Sequence, residues 1–149
     1  MKDKRKGIDY IGVSASFIIH DGTGRILLQK RGPDSRDEKG VWDTGGGGIE
    51  LGETIEEALR RELREELCCE AVDMYFMTVA DVHRNLEDGT PTHWISITYA
   101  VQVNPSEVGI GEPHKTAEIG WFNLHNLPAP VHSQLNRSIE SAQKFKLIV

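Results

Sequence analysis

Glu62, Glu65 and Glu66 stand at i, i+3 and i+4 in a segment of helical periodicity, with Glu53 ahead of them. At about 100° per residue that spacing puts the three carboxylates on one side of a helix. Ile55, Leu59, Leu63 and Leu67 mark the apolar face, and the carboxylates share its edge with Ala58 and Ile55. Carboxylates this close repel one another, and half-burial adds a desolvation cost. Arg61 is the nearby helix cation. Such an arrangement makes physical sense with a divalent cation in the gap. Hard oxygen ligands suit Mg²⁺, which readily shares its shell with a phosphate. An acidic surface helix with a wide polar face is the alternative that periodicity alone leaves open. Glu56, Glu57, Arg60 and Arg64 fall on the outer face. There Glu56 with Arg60 and Glu57 with Arg61 read as i,i+4 pairs of ~0.3–0.5 kcal/mol each, and no chemistry is assigned to the outer face.

Four consecutive glycines at 45–48 lie directly before this segment. A glycine-rich stretch leading into a helix lets backbone approach a ligand closely. Alone it reads equally as a flexible loop; beside the carboxylates it lets phosphate and metal meet at one place. Thr54 with Glu57 three residues on forms a capping box, so the spacing predicts a helix over Ile55–Leu67.

The elements that must position these groups follow from the rest of the chain. Its 149 residues suit a single domain over 1–149, with the polar residues 1–7 flexible. A chain of this size buries roughly 70% of its unfolded surface without needing a disulfide or metal staple. Residues 10–20 and 25–30 read as a strand hairpin around the turn 21–24, followed by a charged, potentially mobile loop at 31–41. Further strands are expected at 71–83, 92–103 and 119–123, a turn at 84–91, a polar loop at 104–117 and a closing helix at 133–145. Strands on either side of a central helix, with a second helix at the end, imply a mixed sheet with helices on its faces.

The net charge is −6, and residues 50–70 hold eight Glu and three Arg, or −5 of it. An acidic balance excludes a general nucleic-acid-backbone binder. The two cysteines, Cys68 and Cys69, are adjacent and read as reduced thiols. No apolar run of ~18 residues and no signal-peptide pattern is present, which gives a cytoplasmic expectation with no membrane partner.

Gly47, Glu53, Arg61, Glu62, Leu63, Glu65 and Glu66 fall in register with G-x5-E-x7-R-E-U-x-E-E-x-G-U, where U is apolar. The chain thereby resembles the Nudix hydrolases, MutT-like in type. Gly40-x-Trp42, Leu27-Leu28-x-x-Arg31, Trp121-Phe122 and Leu127-Pro128 extend the resemblance over about residues 10–135. Two positions depart from the pattern. Cys68 replaces the glycine that normally ends the helix in a left-handed turn, so it must accept strain there or end the helix differently. Gly45 replaces a proline often found before the glycine pair, so a looser loop is expected.

The resemblance implies an α/β/α sandwich and hydrolysis of a nucleoside diphosphate linked to another moiety. It implies Mg²⁺, with Mn²⁺ as a substitute, held by Glu62, Glu65 and Glu66 with the Gly46 carbonyl. Glu53 would act through water or by holding Arg61, and Arg61 would orient the glutamates. The base is open between Glu66 and Glu53 in the box and Glu112 and Glu118 in the later loop, with Glu87 weaker. Glu118 joins the catalytic set with Glu53, Arg61, Glu62, Glu65 and Glu66.

Substrate contacts are expected from Gly46, Gly47, Arg31 and Arg36, with Lys30 and Lys39 as further cations in the loop before the box. Trp42, Trp94, Tyr99 and Phe17 are the aromatics available to stack on a base, although strand aromatics are more often core. Arg84 stands about where ADP-ribose-cleaving members carry a proline, so that subgroup is not indicated. Gln29, Gly32, Thr44 and Gly45 depart from the coenzyme A pyrophosphatase signature. The six histidines show no metal-ligand spacing. A binding or regulatory module without turnover is the second reading, and a homodimer is compatible with the fold. An isoprenoid diphosphate isomerase would need a catalytic cysteine in the pocket, and Cys68 and Cys69 lie at the helix end.

Overall fold

The computed structural model describes residues 2–35 and 37–144. Among the described residues, seven strands form one sheet: β1 (Gly12–His20), β2 (Arg25–Arg31), β3 (Trp42–Asp43), β4 (Gly46–Gly48), β5 (Ala71–Asn85), β6 (Pro91–Val103) and β7 (Thr116–Asn123). The path runs β3-β2-β1-β6-β5, with β4 on β1 and β7 on β2. β1 pairs parallel with β6 and antiparallel with β2 and β4, so the sheet is mixed.

Helices cover both faces. α1 (Ile55–Leu67) packs Ala58, Leu59, Leu63 and Leu67 against Ala15, Phe17, Ile19, Val101 and Val103. α2 (Leu135–Lys144) packs Leu135, Ile139 and Ala142 against Ile18, Ile26, Leu28 and Ala100. This is the α/β/α sandwich. It explains why Phe17-Ile18-Ile19 is unbroken apolar rather than alternating, since a strand covered on both faces needs apolar residues at every position. Each fully buried leucine of α1 contributes about 1.5–3 kcal/mol by burial. Among the described residues, no helix is long and apolar enough to cross a membrane.

α1 has the expected bounds. Thr54 Oγ1 accepts from the Glu57 N–H at 3.1 Å, and the Thr54 N–H donates to Glu57 Oε2 at 2.9 Å. Glu57 is thereby committed to the cap. Its expected partner Arg61 turns to Glu53 instead. At the other end Cys68 adopts the left-handed conformation, φ 59°, and its N–H donates to the Arg64 carbonyl at 3.1 Å. The cysteine thus takes the conformation glycine would have taken.

Other expectations shift. The strands β5 and β6 run closer together than expected, leaving a tight turn at 86–90. The closing helix begins at Leu135, and its predicted end at 145 lies outside the described residues. Two short strands, β3 and β4, were not expected; β4 is built of glycine and carries no side-chain pattern. Part of the stretch 1–7 is tied down. The Arg5 N–H donates to Asp9 at 2.7 Å, and the Gly7 carbonyl accepts from the His93 N–H at 2.8 Å.

Candidate active site

β1 and β2 pair only at Ile19 with Leu27 and His20 with Ile26. The free edge of β1 at residues 14–16 is taken by β4, which places the glycines against the start of the sheet and beneath α1. Gly45 and Gly46 have φ +105° and +130°, values that favour glycine. A Cβ on Gly47 would stand 2.3 Å from Glu62 Oε1, and one on Gly45 would stand 2.3 Å from Gln29 Nε2 and 3.0 Å from Glu66 Oε2. The glycines are therefore a close-packed shelf under the carboxylates. The looser loop expected from Gly45 gives way to a tight one, whose φ a proline could not adopt.

Arg61 locks the front of the site. Its Nε and Nη2 fork onto Glu53 at 2.7 and 2.8 Å, Nη1 reaches Glu62 at 2.8 Å, and Nη2 reaches the Gly48 carbonyl at 3.1 Å. Glu65 lies farther, 3.4 Å from Nη1. Glu53 also accepts from the Glu50 N–H at 2.8 Å. Arg61 and that N–H hold the Glu53 carboxyl down at about 2. The bidentate pair draws the loop before α1, the helix and β4 together through one guanidinium.

The glutamates behind it are under-compensated. Glu62 is only 8% exposed, and its carboxyl is pushed up chiefly by burial, opposed by Arg61 and reinforced by Glu65. Burial pushes Glu66 up to about 8, with Glu62 and Glu112 adding to the effect. Gln29 Nε2, at 3.1 Å from Glu66 Oε2, and the Gly46 N–H oppose that shift without overcoming it. Gln29 is itself buried and held by Thr44 O and Thr116 Oγ1. The signal for it was a polar residue directly after the apolar run Ile26-Leu27-Leu28.

The loop carrying Glu112 is docked by the end of α1. The Gly109 N–H donates to Leu67 O at 2.9 Å and the Gly111 N–H to Glu66 O at 2.8 Å, satisfying carbonyls that a helix end leaves open. A Cβ on Gly111 would stand 2.0 Å from Glu65 O, so the approach requires glycine. Glu112 is thereby delivered to the carboxylate cluster.

A cleft of about 700 Å³ is lined by glycines 45–48, Glu62, Glu66 and Glu112 on one side and by Arg31, Asp43, Arg84 and His132 on another. Ser14, Ser16, Ser96 and Thr98 contribute hydroxyls, with Ser16 Oγ 2.8 Å from Ser96 Oγ and 2.9 Å from Thr98 Oγ1. A second cleft of about 580 Å³, lined by Arg5, Lys6, Arg61, Glu65 and Lys115, shares Glu62 and Glu112 with the first. The two meet at the carboxylates.

Several expected site residues lie elsewhere or are otherwise engaged. Glu118 is exposed, opposite Lys30 in the β2–β7 ladder, and does not line either cleft; strand alternation turns it outward, so Glu112 replaces it as the loop carboxylate at the site. Arg31 borders the cleft, but its guanidinium is committed to Asp37 and Asp43. Arg36 lies outside the described residues. Lys39 pairs with Glu87. Of the four aromatics, Trp94 lines the cleft; Trp42 packs edge-on to Phe122, Tyr99 edge-on to Phe76, and Phe17 is core. Cys69 is buried with its thiol pushed up to about 11, chiefly by burial, and neither cysteine lines a cleft. Rather than staying mobile, the loop before the box is pinned. Glu38 accepts from Ser133 N at 2.8 Å and Arg84 Nη1 at 2.9 Å, and His132 contacts both Glu38 and Arg84. Nothing in the sequence spacing pointed to this network.

The family model for the NUDIX domain matches residues 11–142. Over 110 residues the chain is 35% identical to an ADP-ribose pyrophosphatase of Methanocaldococcus jannaschii, covering 74% of this chain and 61% of that one. It is 53% identical over 49 residues to nucleoside triphosphatase NudI of an Enterobacter species, 33% of this chain and 35% of that one. The chain thus spans less than two thirds of the length of either relative. Among solved structures, a MutT NUDIX hydrolase from Burkholderia pseudomallei superposes with a TM-score of 0.77 at 30% identity, over 89% of this chain and 98% of that one.

Proposed function

The chain belongs to the NUDIX domain family, and on that premise we propose that it is a Mg²⁺-dependent hydrolase of a diphosphate linkage in a nucleoside diphosphate conjugate. The observation that carries this reading is Glu62 and Glu66, both pushed toward the protonated form, standing over a glycine shelf where two clefts meet. Such a donor set, all oxygen and short of positive charge, fits a hard divalent cation. Glu62, Glu65 and Glu66, with the Gly46 carbonyl, would hold it. When bound, the cation would neutralise diphosphate oxygens and lower the pKa of a coordinated water.

The chain's own residues supply the rest. Glu53 and Arg61 are positioning residues: they fix Glu62 and the loop before α1. Glu53 is a poor base, because its oxygens are engaged and its carboxyl is held at about 2. Glu112 is the better candidate to accept the proton of the attacking water, since it borders both clefts and Glu118 borders neither. The glycines allow phosphate to approach the backbone, and Lys115, which lines both clefts, offers it a cation. The hydroxyl wall is left to meet the remainder of the substrate. Arg84 was read as pointing away from ADP-ribose; the 35% identity to a relative named for that activity returns ADP-ribose to the candidates.

A panel of ADP-ribose, other nucleotide conjugates and nucleoside triphosphates, assayed with Mg²⁺ and with Mn²⁺ by chromatography of the nucleotide products, tests the proposal. Turnover of conjugates above triphosphates is expected. Preference for triphosphates would move the chain toward the second relative's activity. Tight binding without turnover of any member would favour a regulatory module.

A further inference from the structure

On the long β5–β6 ribbon, His83 and His93 face each other directly across the strands. Their rings stack with centroids 4.2 Å apart and planes 25° from parallel. Asp81, two residues before His83, shares their face, and its Oδ1 lies 3.0 Å from His93 Nε2. One ligating atom from each of the three residues lies within 4.8 Å of the others. The neighbours Val82, Arg84 and Trp94 line the large cleft. Strand alternation therefore puts Asp81, His83 and His93 on the opposite face of the sheet, away from the glutamates.

We propose that Asp81, His83 and His93 form a second metal site, selective for a borderline transition ion such as Zn²⁺ or Ni²⁺ rather than Mg²⁺. Two imidazole nitrogens and one carboxylate oxygen are the donors such ions prefer, whereas the all-oxygen cluster on α1 suits hard cations. The Asp81–His93 contact does not by itself account for the arrangement. With side chains 65% and 34% exposed, it is screened and weak, and it leaves His83 stacked without a role. A bound ion would use both imidazoles at once. The ligands sit on two strands paired from Ala71 with Val103 to Asn85 with Pro91, so little rearrangement is needed to bring them together. Three protein ligands leave coordination positions for water or an anion. The ion would clip β5 to β6 near the turn at 86–90.

The test is calorimetric titration of chelator-treated protein with ZnCl₂, and separately NiCl₂, in excess Mg²⁺ to occupy the glutamates. The wild type should bind one ion. His83→Gln and His93→Gln should each weaken binding about tenfold or more. All three ligands are surface groups, so both variants should melt like the wild type in chelator. At a hundredfold excess of Zn²⁺ over the wild-type Kd, the wild type should gain roughly 5 °C in Tm and each variant about half of that or less. Absence of binding in the wild type overturns the proposal. So does binding that survives both substitutions, whether it resides at Glu62 and Glu66 or at Cys68. Neither result bears on nucleotide hydrolysis, which is read by the substrate panel alone.

Discussion

Glu38 and Glu66 are both glutamates that burial pushes toward the protonated form, yet they end on opposite sides of their ordinary value. Around Glu38, Ser133, His132 and Arg84 more than offset burial, and its carboxyl is lowered. Around Glu66, Gln29 and the Gly46 N–H fall short, while Glu62 and Glu112 add like charge, and its carboxyl rises to about 8. The first carboxylate is a finished part of the structure: it pins the loop before the box to the start of α2 and to β5. The second is left unbalanced by its protein neighbours, and on the proposed reading a cation completes it. The difference teaches that a cluster of charge signals chemistry only where the protein itself does not balance it.

Four perturbations separate the two regions. Glu66→Gln should lower hydrolysis by about two to four orders of magnitude, the scale of losing a catalytic electrostatic group, with the fold intact. Glu38→Gln should leave turnover nearly unchanged, and steady-state kinetics on both variants reads the contrast. Equal losses would erase the distinction between the two glutamates.

Next in size is Arg84→Ala. It leaves Glu38 and Asp37 without their shared guanidinium, which should destabilise the protein by about 3 kcal/mol in denaturant unfolding. A loss below about 1 kcal/mol would mean that this network is surface charge with little net worth.

The smallest effect is in the pH dependence of the metal-free protein. Glu66 has a folded pKa of about 8, above its ordinary 4.5. Between those values the folded state keeps a proton that the unfolded chain has released, so stability falls as pH rises. Below about 6.5, burial of His132 works the other way, since its lowered pKa makes stability rise with pH. The decline should therefore show between about pH 6.5 and 8. Thermal melts should lose it in Glu66→Gln and in saturating Mg²⁺. A flat profile for the metal-free wild type would contradict the assignment of Glu66.

Much of this was legible in the sequence, for definite reasons. The helix Ile55–Leu67 announces itself through a capping box and a clean apolar stripe, and the carboxylates ride on that helix at fixed spacing. The sheet's long strands show as β-branched and aromatic runs. What could not be read depends on distant pairing. β4 is glycine and has no pattern to read. Glu112 and Glu118 look alike along the chain. They part because the Gly109 and Gly111 N–H groups cap α1 and carry Glu112 inward, while Glu118 falls on the outward side of β7. Gln29, Arg84, Glu38 and His132 find their partners across 37 to 95 residues of chain, beyond any local spacing.

The central claim is that Glu62, Glu65 and Glu66 await a divalent cation that the protein leaves room for. Calorimetric titration of metal-free protein with MgCl₂ at pH 7.5, repeated in buffers of different ionisation heat, tests it most directly. With Glu66 held near 8 in the absence of metal, Mg²⁺ should bind and expel a proton, giving a heat that varies with the buffer. Glu66→Gln should weaken binding and abolish that proton release. Binding with no proton release, or binding unchanged in the variant, would contradict the account.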